Sequence, residues 1–202
     1  MTVSYPLSLP TIRGPRQTEL RLRSKASVYE SPWTGSVQVQ EHTGKFWEII
    51  LEIPPMNRPE YAAWESFIFS LRGRVGTFKA GPQYASTSQG DNDGSDKTVE
   101  SIDSTSTKLT VSGFSSSTNG VMKEGDYIEV NNELKIVRKD ADSDNSGEAD
   151  LHIEPFFRTD PAQGDTAIIE DPKGVFRLTD EPKMDVELFT SNGLTLSARE
   201  DF

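Results

Sequence analysis

Between Lys45 and Ile53 the sequence KFWEIILEI places Trp47, Ile49, Leu51 and Ile53 on one side of an extended chain and Glu48 and Glu52 on the other. Side chains alternate across a strand, so this spacing requires a β-strand with one buried face. Pro54 and Pro55 end it, because proline has no N–H to give a ladder. Upstream, GSVQVQ (35–40) alternates as well, with Val37 and Val39 on one face, and His42, Thr43 and Gly44 separate the two runs. The pattern reads as a β-hairpin turning at 42–44. Downstream, Asn57 is a candidate N-cap and Pro59 fits a first helical turn, where its missing N–H costs nothing. Tyr61, Trp64, Phe67, Ile68 and Leu71 then recur every three or four residues, which predicts an amphipathic helix over 59–71 closed by Gly73. A short strand around Thr77–Lys79, centred on Phe78, is broken by Gly81 and Pro82. The expected core is therefore Trp47, Ile49, Leu51, Ile53, Tyr61, Trp64, Phe67, Ile68, Leu71 and Phe78.

The composition changes after this. Residues 83–98, QYASTSQGDNDGSDKT, hold almost no large apolar side chains and are expected to form a flexible polar linker. Short apolar runs follow at Lys108–Val111, Tyr127–Val130, Leu134–Val137, Leu151–Ile153 and Ala167–Ile169, punctuated by Asp-, Asn- and Gly-rich turns. Strands at such intervals predict a small barrel or sandwich. Residues 176–201 hold two or three more strands, the last at Leu194–Ala198. The expected fold class is mainly β with a single amphipathic helix.

Charge is distributed unevenly. Residues 1–82 carry 10 Lys and Arg against 7 Asp and Glu, whereas residues 83–175 carry 8 against 19, and the whole chain stands at −11. Such a surface argues against gripping nucleic acid by its phosphates. No run approaches the roughly 20 apolar residues of a membrane helix. The opening MTVSYPLSLPTIRGP lacks a basic start followed by an apolar run, so no secretory signal is expected. With no cysteine in the chain, disulfides, thiol catalysis and cysteine zinc sites are excluded.

Little in the sequence points to chemistry. The two histidines, His42 and His152, belong to no spaced metal set, and a serine triad would need one of them. No GxSxG, Walker loop or dinucleotide-type glycine pattern occurs. The run from Asp140 to Asp150 puts Asp140, Asp142 and Asp144 at the first, third and fifth positions of a calcium-like loop. The glycine and the terminal glutamate of such a loop are out of place, and a polar hairpin turn is the preferred reading. Trp33, Trp47 and Trp64 could line a sugar platform, but Trp47 and Trp64 fall on expected core faces. The sequence thus predicts no catalytic residue, no metal site and no cofactor.

The blocks FWEIILEIPP (46–55), YAAWESFIFSLRG (61–73) and GTFKAGP (76–82) together resemble the minor tail and distal tail protein family of long-tailed bacteriophages. SVQVQ (36–40) and LTLSARE (194–200) fit the same pattern, and the resemblance covers residues 18–82 and 175–202. It implies a β-sandwich or split-barrel ring domain built from 1–82 and 175–202. Residues 83–174 then become an acidic inserted domain, itself a small β-barrel. It further implies a structural virion protein of the tail tip, assembled in the host cytoplasm. Copies of the chain would form a ring, usually sixfold in that family, joining the tail tube protein to the hub and fibre proteins. DNA would pass through without specific binding. Two alternatives are a tail-borne carbohydrate- or receptor-binding module and a cell-wall hydrolase.

Overall fold

The computed structural model describes residues 3–184 and 193–202, apart from the side chains of Glu41 and Thr43. Its strands are β1 (Leu7–Ser8), β2 (Gln17–Glu30), β3 (Val37–Ile53), β4 (Phe78–Ala80), β5 (Lys97–Ile102) and β6 (Lys108–Ser112). They continue with β7 (Tyr127–Val130), β8 (Glu133–Val137), β9 (Glu148–Glu154), β10 (Thr166–Ile168), β11 (Gly174–Leu178) and β12 (Leu194–Glu200), and helix α1 spans Arg58–Leu71. The fold is mainly β, with one α-helix, a closed barrel and a larger mixed sheet. The sheet runs β1-β4-β11-β12-β3-β2, and the barrel closes as β10-β5-β6-β9-β8-β7. All barrel strands come from the stretch between Lys97 and Ile168, and the sheet strands flank it in sequence. Of the last expected strands, those at 174–178 and 194–200 are present, and the intervening DVELFT lies outside the described residues.

Local chemistry accounts for the helix. The Asn57 side chain accepts from Glu60 N, and the Glu60 carboxylate accepts from Asn57 N, each at 3.1 Å. This reciprocal box satisfies two of the N–H groups that every helix start leaves open. At the other end both Arg72 (φ 51°) and Gly73 (φ 66°) turn left-handed, so the cap expected at Gly73 begins one residue earlier. All ten residues expected in the core are at most 8 % exposed, and Trp64 and Leu71 are fully buried. The aromatic rings interlock edge to face, Trp64 on Phe67 and Phe67 on Phe78, both with centroids 5.7 Å apart.

The hairpin expected to turn at 42–44 does not turn there. Residues 37–53 form a single strand of 17 residues, paired antiparallel with β2 along its length. The register slips between Arg23↔Phe46 and Lys25↔His42, which leaves β3 two residues longer than β2 at Gly44. A His-Thr-Gly run reads equally as a turn or as a bulge, and a partner strand reaching past it decides for the bulge. The true turn lies at Ser31–Ser36. Ser31 N donates to Ser36 O and Gly35 N to Ser31 O, both at 2.9 Å, and Gly35 takes φ +65°. Strand β2 was not expected at all: its run QTELRLRSKASVYE has only Leu20 and Leu22 in clear alternation.

Of residues 83–98, expected as a flexible polar linker, 83–96 are stitched to the barrel and Lys97 and Thr98 open strand β5. The Asp126 carboxylate accepts from Ser88 Oγ, Gln89 N and Lys123 N at 2.7–2.9 Å, and Asn92 Nδ2 donates to Val121 O at 2.8 Å. Lys97, 2 % exposed, reaches back to Asp93 Oδ1 and lies 5.1 Å over the Phe114 ring. Polar residues that cannot bury apolar surface are ordered here by hydrogen bonds, which composition alone does not reveal.

Candidate functional site

Two features stand out once the elements are in place: a projecting arm and a charged junction. The arm is the distal part of the β2–β3 hairpin. Val28, Tyr29, Trp33, Val37 and Val39 lie on it, all more than half exposed, with Trp33 at 93 % on the tip. Val28 pairs with Val39 and Glu30 with Val37, so Val28, Val37 and Val39 share one face. Because the slip adds two residues, parity is kept, and this face continues the one that carries Leu20, Leu22 and Trp47 in the body. A two-stranded ribbon is marginal alone in water, and a contiguous uncovered apolar face marks a surface for contact. The backbone of the arm is open on both edges: among the described residues β2 pairs only with β3, and β12 reaches β3 only from Glu48 to Ile53.

The junction joins barrel to sheet. Leu134 of β8 is fully buried within the core of the sheet, and Tyr127 and Ile136 pack against that core. Trp47 donates its indole N–H to Leu134 O at 2.8 Å and its backbone N–H to Glu200 Oε2 at 3.0 Å. Arg158 stands 3.6 Å from the same Glu200 oxygen, donates to Lys45 O at 2.6 Å and lies 3.2 Å over the Phe202 ring. Lys135, 1 % exposed, donates to Glu133 Oε2 at 2.6 Å and sits 4.7 Å over the Phe157 ring. Lys45 pairs with Glu154 at 2.6 Å. Sequence gave no warning of this cluster, since its members lie up to 155 positions apart, from Lys45 to Glu200.

Burial dominates the ionisation of this cluster. It pushes the Glu200 carboxyl above its ordinary value, against the Trp47 N–H and the charges of Lys135 and Arg158, and Glu200 Oε1 has no hydrogen-bond partner among the described residues. Burial likewise pulls Lys135 down, against the Glu133 carboxylate. An acid whose folded pKa is raised contributes stability below its unfolded value and loses it as pH climbs through the folded one. Glu200→Gln, which keeps an oxygen for the Trp47 N–H, is therefore expected to gain stability relative to the native chain as pH rises above about 4.5. Urea melts of both chains at pH 4 and pH 7 check this, and a difference that does not move toward the variant refutes the assignment.

The residues considered for chemistry are dispersed. Asp140 takes Lys123 Nζ and Glu124 N, Asp142 takes Gly120 N, and Asp144 takes Ser146 N and Glu148 N, all at 2.6–2.9 Å. Among the described residues no three His, Asp or Glu side chains converge as a metal set would. The segment is also more extended than the hairpin turn expected for it. Ala141 and Ser143 face inward and bridge to Met122 and Ala149, which confines the turn to Asp144–Gly147. His42 Nε2 meets Ser27 Oγ at 2.7 Å on the exposed arm, a diagonal cross-strand contact. His152 is exposed on β9. Trp47 and Trp64 are buried, with Trp64 Nε1 donating to Arg13 O at 3.0 Å, so only Trp33 presents a ring to solvent. No helix among the described residues is long and apolar enough to cross a membrane. No protein-family model and no curated protein sequence matches the chain.

Proposed function

We propose that this chain is a structural subunit that assembles with copies of itself into a ring at the tail tip of a long-tailed phage. There it would connect the tail tube to the hub and fibre apparatus around the DNA channel. The observation that carries the reading is the arm, whose exposed valines, tyrosine and tryptophan need a protein surface to cover them. Two further features support it. The sequence blocks that resemble distal tail proteins build the sheet, the helix and the strand after it. The acidic residues concentrate in the barrel: Lys97–Ile168 carries 7 Lys and Arg against 14 Asp and Glu, while residues 1–82 are mildly basic. Opposite potentials on two parts of one chain favour head-to-tail contacts, and acidic walls keep a passing polyanion from sticking. The decisive measurement is a reconstruction of the tail tip at side-chain resolution. A closed ring of this chain around the channel is expected, and a single copy or a peripheral fibre position would end the proposal. A tail-borne carbohydrate-binding module is the second reading. It is favoured by the exposed Trp33 ring alone, and glycan-array binding abolished by Trp33→Ala would establish it.

A further inference from the structure

Beside the body portion of β2 lies an open groove of about 460 Å³, lined by Arg16, Thr18 and Leu20 on one side and by Gln83, Tyr84 and Tyr127 on the other. Among the described residues its β2 wall is the free edge of the sheet, so a strand entering it would find N–H and C=O groups along Gln17–Leu22 that no described strand pairs. Tyr84, fully exposed, stands over it. Strand β3 offers the complement on the arm, where Val37–Gln40 has an outer edge unpaired among the described residues, with valines at alternate positions. Thr18 and Leu20 alternate with the same period on the apolar side of β2, so valines and groove residues fall on one face when the two edges meet.

We propose that the arm of one copy adds Val37–Gln40 as a strand to the β2 edge of a second copy, seating Val37 and Val39 in the groove beneath Tyr84. This deepens the ring-subunit reading and rests on it, with the neighbouring copy as the partner. The arm of the same chain cannot serve. Val37 pairs with Glu30, at the far end of β2 from Gln17, which is roughly 40 Å along an extended strand. Two β2 edges pairing with each other are disfavoured, because an antiparallel pair would bring the Arg21, Arg23 and Lys25 run of one copy against that of the other. The arm segment Val37–Gln40 carries no charge and meets no such penalty. The opposite edge of the sheet, β1, is two residues long and gives a strand little to pair with. One arm and one groove per copy make a heterologous contact, which builds a ring when the rotation from copy to copy closes.

Complementation tests it with the full-length chain. Val37→Lys with Val39→Lys disables the arm and leaves the groove, and Tyr84→Glu disables the groove and leaves the arm. All three side chains are more than half exposed, so both variants should fold, with native circular dichroism as the check. The native chain is expected to self-associate in a concentration-dependent way by native mass spectrometry and light scattering. Each variant alone should weaken association about tenfold or more. Mixed one to one, they should form a heterodimer that grows no further, because only one arm–groove pair remains intact. Association that survives in both variants, a mixture that stays monomeric, or a native chain that is monomeric at every concentration would overturn the docking. Rings that persist in both variants would leave the ring reading standing without this contact. Complementing variants whose native chain forms only open filaments would keep the docking and defeat the ring.

Discussion

Trp64→Ala is expected to destabilise the chain by about 3–5 kcal/mol, the range for removing a large buried aromatic side chain. Trp64 is fully buried on the inner face of α1, against Phe67, and its indole N–H is bonded to Arg13 O. The substitution opens a cavity in the contact between helix and sheet, and it also leaves the Arg13 carbonyl without its donor. For a chain of this size each kcal/mol moves the melting temperature by about 2–4 °C, so a fall of roughly 6–20 °C is expected. Trp64→Phe keeps most of the volume and loses the hydrogen bond, so it separates the two contributions. A shift of a degree or so for the alanine variant would mean that the stripe does not anchor the helix.

The second large effect is expected at the junction. Arg158→Ala removes the guanidinium that bonds Lys45 O, faces Glu200 and covers Phe202. Glu200, 3 % exposed, is then left with the field of Lys135 and the Trp47 N–H. Breaking a buried ion pair by deleting one member costs about 3–5 kcal/mol. The Arg158 side chain is 21 % exposed and its distance to Glu200 is long, so the lower end applies, near 3 kcal/mol. That predicts a fall in melting temperature of roughly 6–12 °C. Arg158→Lys should recover only part of it, because an ammonium cannot both reach the Lys45 carbonyl and stack on Phe202 as a planar fork does. Hydrogen exchange should quicken at the amides of β12 and β8 together. Faster exchange in the barrel alone would show that the cluster does not couple barrel to sheet.

The parts of this protein that sequence determined are those whose physics is local. The KFWEIILEI strand, the helix from its Asn57 cap to Leu71 and the short strand at Phe78 follow from periods of 2 and 3.6 and from capping residues within four positions of each other. The strands at 108–112, 127–130, 133–137, 148–154 and 166–168 were visible as apolar runs between turn formers for the same reason. Tertiary structure decided what depends on a distant partner. Strand β2 has little pattern of its own and exists because β3 offers it a ladder. Its length turns the His42–Gly44 segment from a turn into a bulge and carries five apolar residues out into the arm. Lys97, Lys135 and Glu200 carry no sequence sign of burial, since a charge enters an interior only where other elements bring counter-charges, aromatic rings and backbone donors to meet it. The junction and the groove beside β2 arise where the barrel docks on the sheet, and no local pattern encodes a surface that two separate stretches of chain create only after each has folded.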